Sequence, residues 1–156
     1  MILIAHRGNL NGKIPDKENH PDYIDRALSQ GYEVEVDIWY VDGKWVLGHD
    51  DPQYLVGENY LDCRRNNLWI HIKDLNALEF LTTREHNSIT RQWNYFWHQK
   101  DDYTVTNRGR IWALPGSELT TSSICVMPEY ASYTDEQILN SAGVCSDYVS
   151  KWRFDG

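Results

Sequence analysis

Residues 33–50 read EVEVDIWYVDGKWVLGHD, and the alternation at their start decides how the chain is read. Glu33, Glu35 and Asp37 share one parity, while Val34, Val36 and Ile38 share the other. Side chains on a strand point to opposite faces with period two, so the acids share one face and the β-branched residues the other. Taken alone this is a half-buried strand with a solvated acidic edge. Asp42-Gly43 then predicts a tight turn into a short strand over 44–47, with His49 just beyond it.

The neighbouring stretches change that reading. Upstream lie His6-Arg7-Gly8 at the end of an apolar run, then Pro15 and Glu18-Asn19; downstream lies Gly48-His49-Asp50-Asp51. Carboxylates one strand step apart repel each other unless a cation neutralises them. A cation that holds them also polarises a phosphoryl oxygen. Acids flanked by His and Arg therefore point to a divalent ion and a phosphate.

The ordered set HRG, P-x-x-E-N, E-x-D and HD resembles the glycerophosphodiester phosphodiesterase family, one of the phosphatidylinositol phospholipase C-like phosphodiesterases. The resemblance covers residues 1–73 and thins afterwards. It implies a metal-dependent hydrolase cleaving a glycerophosphodiester-like bond to a phosphomonoester and an alcohol. By the same resemblance His6 and His49 are the acid–base pair, suited to it by a pKa near neutrality. Arg7 fits a phosphate clamp, and Lys73 matches a lysine that adds positive charge as the pentacoordinate species forms. Glu35 and Asp37 match two metal ligands, and Glu18 matches an acidic residue that supports the site or replaces a ligand.

The family's third ligand is usually a glutamate two residues before that lysine, and here the position is His71. A neutral imidazole removes one negative charge and softens the site. Mg²⁺ or Mn²⁺ is therefore expected ahead of Ca²⁺, with Zn²⁺ also compatible. Two other functions fit the same residues: a lyase that yields a cyclic phosphate, and a pseudoenzyme that binds phosphate-bearing glycans or lipids without turnover.

Composition bounds the rest. At 156 residues, with 41% hydrophobic and 24% charged residues, the chain is expected to form one globular domain. A net charge of −8 argues against nonspecific binding to nucleic acid or an anionic membrane, though not against a small anion held by a local cation. No apolar run approaches the ~20 residues of a membrane span, and MILIAHRG is too short in apolar residues for a signal peptide. Cys63, Cys125 and Cys145 are too few and too scattered for a disulfide framework, so a reducing, cytoplasmic setting is expected. Cys125 and Cys145 fall in apolar runs and are read as core.

Strands are predicted over 2–5, 32–39, 68–73, 95–98, 123–127 and 144–148, and helices over 22–30, 75–83 and 134–141. Residues 51–67 look like loop and 84–93 like a connection. The runs 103–106 and 110–114 are too close for a parallel crossover, so they form a hairpin or one of them leaves the sheet. Strand–helix alternation, with the resemblance, predicts a compact TIM-type (β/α) barrel with several outer helices missing or shortened. A barrel so stripped exposes strand faces, and a homodimer covering them is expected. His98, Trp112, Glu129 and Trp152 lie at or near later strand ends as candidate substrate-lining residues without a motif, and Asp147 is read as peripheral. Glu33 is assigned a solvent-facing or structural place.

Overall fold

The computed structural model describes residues 1–83 and 93–154. The connection predicted over 84–93 thus lies, apart from Trp93, outside the described residues. The strands are β1 (Ile2–His6), β2 (Glu33–Val41), β3 (Lys44–Leu47), β4 (Tyr54–Val56), β5 (Leu68–Ile72), β6 (Tyr95–Trp97), β7 (Tyr103–Val105), β8 (Ile111–Ala113), β9 (Ser123–Val126) and β10 (Gly143–Ser146). The helices are α1 (Pro21–Ser29), α2 (Glu58–Arg64), α3 (Leu75–Thr82) and α4 (Asp135–Leu139).

All ten strands belong to one mixed sheet. Its parallel part runs β6-β5-β2-β1-β10-β9-β8. Strand β3 pairs antiparallel with the far half of β2, β4 with β3, and β7 with β8. The sheet curls until β7 approaches β6. There the Asn107 N–H donates to the Tyr95 carbonyl (3.0 Å) and Thr104 Oγ1 to the Trp97 carbonyl (2.9 Å), without a strand ladder.

This corrects the expectation of a (β/α) barrel. Among the described residues the helices are four and short, and three of the strand connections turn back as hairpins or extended pairs rather than crossing over. The physical reason is chain length between strands. Asn107-Arg108-Gly109 spans only a turn, so β7 and β8 pair antiparallel, which is one of the two outcomes open from the sequence. Asp42 and Gly43 both adopt positive φ (50° and 74°), the conformation that a two-residue hairpin matching strand twist requires.

The two faces of the sheet carry different cores. Val34, Val36 and Ile38 point outward against Ile24 and Ala27 of α1, Leu61 of α2, and Ala77 and Leu81 of α3. Inside the curl, Ile4, Trp69, Phe96, Trp112, Ile124, Val126 and Cys145 form a second cluster. Helix α4 covers Cys125 and Val144 through Ile138, and Trp152 packs there too. The acids of β2 therefore face the inside of the curl rather than water. Glu35 and Asp37 are 2% and 0% exposed.

Helix starts follow local chemistry. Thr134 caps α4 in a reciprocal capping box with Gln137, as its sequence predicts. Helix α1 is capped by the His20 ring, which accepts from the Asp22 N–H. Asn19 is engaged elsewhere. The stretch expected to be loop over 51–67 contains β4 and α2, whose Arg64 forms a two-pronged ion pair with Asp25 of α1 (2.7 and 2.9 Å).

Candidate functional site

Parallel register assembles the site. His6 lies beside Glu35 between β1 and β2, and Asp37 beside His71 between β2 and β5. Ala5 pairs with Ser146, which brings the next residue of β10's exit, Asp147, to the His6 ring. These side chains meet toward the carboxyl ends of β1, β5 and β10 and midway along β2, beside the aromatic cluster of Trp69, Phe96 and Trp112.

His71 Nδ1 is 3.1 Å from Asp37 Oδ1 and 3.8 Å from Glu35 Oε1. One ligand-type atom from each of Glu35, Asp37 and His71 lies within 4.8 Å of the others. The His71 ring is held from two sides. Its Nε2 meets the His98 carbonyl at 2.9 Å, and Phe96 stacks on it with centroids 5.0 Å apart. A carbonyl only accepts, so Nε2 carries a proton and Nδ1 faces the carboxylates as a lone pair, or as a donor once protonated. Burial pulls the imidazole pKa down, but Asp37 and Glu35 outweigh it and leave it above its ordinary value.

Asp37 is the best-supported acid. Its Oδ2 accepts from Asn19 Nδ2 (2.8 Å) and pairs with Arg7 Nε at 3.1 Å, and Lys73 Nζ is 3.9 Å from Oδ1. Burial alone would raise its pKa, yet His71 and Arg7 hold it far below the usual carboxylate range. Glu35 is its opposite. Burial and the adjacent Asp37 charge push its pKa up. Glu35 Oε2 and Asp37 Oδ1 are buried without a hydrogen-bond partner. With Asp37 Oδ1 and Glu35 Oε1 at 3.1 and 3.8 Å from His71 Nδ1, two carboxylates and an imidazole lone pair converge on one small volume, the donor set a Mg²⁺- or Mn²⁺-sized ion takes, so the residues fit the metal expected from the sequence.

His6 completes the inner layer. Its Nδ1 contacts Asp147 Oδ1 at 2.7 Å and its Nε2 is 3.9 Å from Glu35 Oε2. Burial lowers its pKa, but the Asp147 hydrogen bond and the Glu35 charge more than compensate, and the ring sits above its ordinary value. Asn9 bridges the two sides, donating to Asp147 Oδ1 (2.8 Å) and Glu18 Oε1 (3.0 Å). Glu18 also accepts from Arg7 at 3.1 Å. Glu18 is thus a support for Arg7 and Asn9 and does not reach the Glu35–Asp37–His71 group. Arg7 itself has φ 54°, a costly conformation for a side-chain-bearing residue, and the Gly8 that follows (φ 91°) lies so close to Tyr23 that a Cβ would approach Cδ1 to 2.8 Å.

His49 stands on the rim. It is half-exposed, bonded through Nδ1 to Asp50 (2.6 Å), and burial together with Arg7 holds its pKa below the ordinary value. With Arg7, Lys13, Pro15, Glu18, Asn19, Asp50 and Gln53 it lines a cleft of about 410 Å³.

The remaining candidates are placed differently. The His98 ring bonds to the Asp101 carbonyl, and only its own backbone touches the site. Trp112 is buried in that aromatic cluster against Phe96 and Trp69. Trp152 packs with Cys125 and Val144 under α4, on the outer side of the sheet. Glu129 accepts from Ser146 Oγ (2.9 Å) and the Asp147 N–H (3.0 Å), bracing the turn that carries Asp147. Glu33 accepts from Trp69 Nε1 at 2.5 Å, a structural place at the lower end of the acidic row. Asp147, read as peripheral, and Asn9, not singled out at all, belong to the site.

Compared with protein-family models, curated proteins and solved structures, the chain matches none.

Proposed function

We propose that the protein is a metal-dependent phosphodiesterase that hydrolyses a glycerophosphodiester-like substrate to a phosphomonoester and an alcohol. The observation that carries this reading is the convergence of Glu35, Asp37 and His71, the two acids buried, set beside the His6–Asp147 pair. Glu35, Asp37 and His71 would hold the ion. When bound, it supplies Lewis-acid polarisation of a phosphoryl oxygen.

The chain's own residues do the rest. Arg7 and Lys73, both within 4 Å of Asp37, add positive charge where the phosphoryl group sits. His49, held neutral by burial and Arg7, takes a proton from water as the oxygen–phosphorus bond forms. His6, kept in one orientation by Asp147 at Nδ1, gives its Nε2 proton to the departing alkoxide as the phosphorus–oxygen bond breaks. Two imidazoles with environments of opposite sense suit opposite proton-transfer roles.

The test is hydrolysis of glycerophosphodiesters followed by phosphorus NMR in Mn²⁺, Mg²⁺ and Ca²⁺. A phosphomonoester product, faster in Mn²⁺ or Mg²⁺ than in Ca²⁺ and lost in His6→Ala, is expected. A cyclic phosphate would instead favour the lyase, and metal-independent binding without turnover would favour the pseudoenzyme.

A further inference from the structure

Asn9 is 0% exposed, and both ends of its amide are engaged. Its Oδ1 accepts from the Ile14 N–H (3.2 Å) and from the Tyr23 hydroxyl (3.1 Å). A backbone N–H only donates, so this end is the oxygen and the NH₂ end faces the other way. There its hydrogens go to two different carboxylates, Asp147 Oδ1 at 2.8 Å and Glu18 Oε1 at 3.0 Å. The same Asp147 oxygen meets His6 Nδ1 at 2.7 Å, and the second Glu18 oxygen accepts from Arg7 Nη1 at 3.1 Å. His6, Asp147, Asn9, Glu18 and Arg7 thus form one unbroken chain of hydrogen bonds. Because Asn9 is neutral, it ties the two acids together and leaves both charges to act on His6 and Arg7. Tyr23 holds the amide from α1, and its ring packs so closely on Gly8 that a Cβ there would lie 2.8 Å from Cδ1.

We propose, resting on the phosphodiesterase reading, that Asn9 is a positioning residue that fixes the His6 ring relative to the Arg7 guanidinium, and that Tyr23 keeps its amide from flipping. His6 protonates the departing alkoxide while Arg7 grips the phosphoryl group. The two must stay in register for the proton to reach the oxygen that leaves. A flipped amide would set its own oxygen against two carboxylates with no hydrogen between them. Neither Asn9 nor Tyr23 touches the reacting atoms.

The experiment measures kcat and KM in Mg²⁺ on two diesters of glycerol phosphate, one releasing ethanol and one releasing 4-nitrophenolate. Nitrophenolate departs without a proton, so only the ethyl diester depends on where His6 sits. Asn9→Ala is expected to lower kcat on the ethyl diester by about 10²-fold, the lower end for a positioned acid, and on the nitrophenyl diester by about threefold or less. KM rises for both, because Arg7 is held less firmly. Tyr23→Phe keeps the ring packing and removes only the hydroxyl. It should show the same selective loss on a smaller scale, and it decides the matter if Asn9→Ala does not fold. Equal losses on the two diesters, or wild-type kinetics, overturn the inference and leave the hydrolase reading intact. Absence of turnover by the wild type sinks the hydrolase reading, and the His6 Nδ1 proton, observed by NMR of the Mg²⁺-treated protein, then decides the placement. A resonance shifted or lost in the variants upholds it, and an unchanged one overturns it.

Discussion

Asp147 meets His6 at 2.7 Å across a sequence separation of 141 residues, and its substitution separates orientation from chemistry. Asp147→Asn keeps the shape and removes the charge that fixes the working nitrogen of His6. Diester hydrolysis is expected to fall by about 10²–10⁴-fold, the contribution of a positioned acid or base. Stability changes too, with a definite sign. Burial raises the Asp147 pKa, but bonds from His6 and Asn9 overcome it and hold the carboxyl below its ordinary value. A depressed folded pKa stabilises above the unfolded value near ~3.9 and is lost as pH falls through the folded one. Urea midpoints recorded from neutral pH downward should therefore fall less steeply on acidification in Asp147→Asn than in the wild type. His71→Glu tests metal choice: a third carboxylate should raise the rate in Ca²⁺ relative to Mn²⁺, and an unchanged ratio would show that residue 71 does not touch the ion. These residues differ in how legible they were. His6, Arg7, Glu35 and Asp37 stand in short motifs, whereas Asp147 and Asn9 gain meaning only from strand register.

At the scale of elements, β2 was legible in its period but not in its environment. The alternation correctly separated Val34, Val36 and Ile38 from Glu35 and Asp37. An alternating strand looks the same whether its polar face meets water or lines a concave site, and only the curl of the sheet distinguishes them. The hairpin after β2 was legible because Asp42-Gly43 has one favoured geometry. The β4–α2 stretch was not, since β4 has three residues, α2 starts after Gly57 without a side-chain cap, and only Leu61 of the helix is buried. The loop that carries His49 depends on Gly48. Its φ is 152°, and a Cβ there would lie 2.0 Å from the Asp51 carbonyl oxygen. Gly48→Ala should cost about 1–3 kcal/mol in urea unfolding and displace His49. A variant as stable and active as the wild type would show that the loop tolerates the shift.

For the whole molecule, strand–helix–strand units were read correctly at β1-α1-β2, β5-α3-β6 and β9-α4-β10, and extending them to a full (β/α) barrel was the error. The β7–β8 hairpin and the helix-free passage from β8 to β9 shorten the circuit, so the sheet curls with few helices outside it. Tyr103 and Val105 on β7 are accordingly exposed. Among the described residues no helix is long and apolar enough to cross a membrane. The parallel half nevertheless brings the carboxyl ends of β1, β5 and β10 to the middle of β2, where Glu35 and Asp37 stand. Burying Glu35 beside Asp37 raises the free energy of the folded chain unless a proton or a cation lies between them, and under the proposed function that partner is a divalent cation. Calorimetric titration of Mn²⁺ into the wild type and into Glu35→Gln tests this most directly. One ion bound per chain with release of protons, and at least tenfold weaker binding in the variant, is the result predicted; no binding, or binding that ignores the substitution, would contradict it.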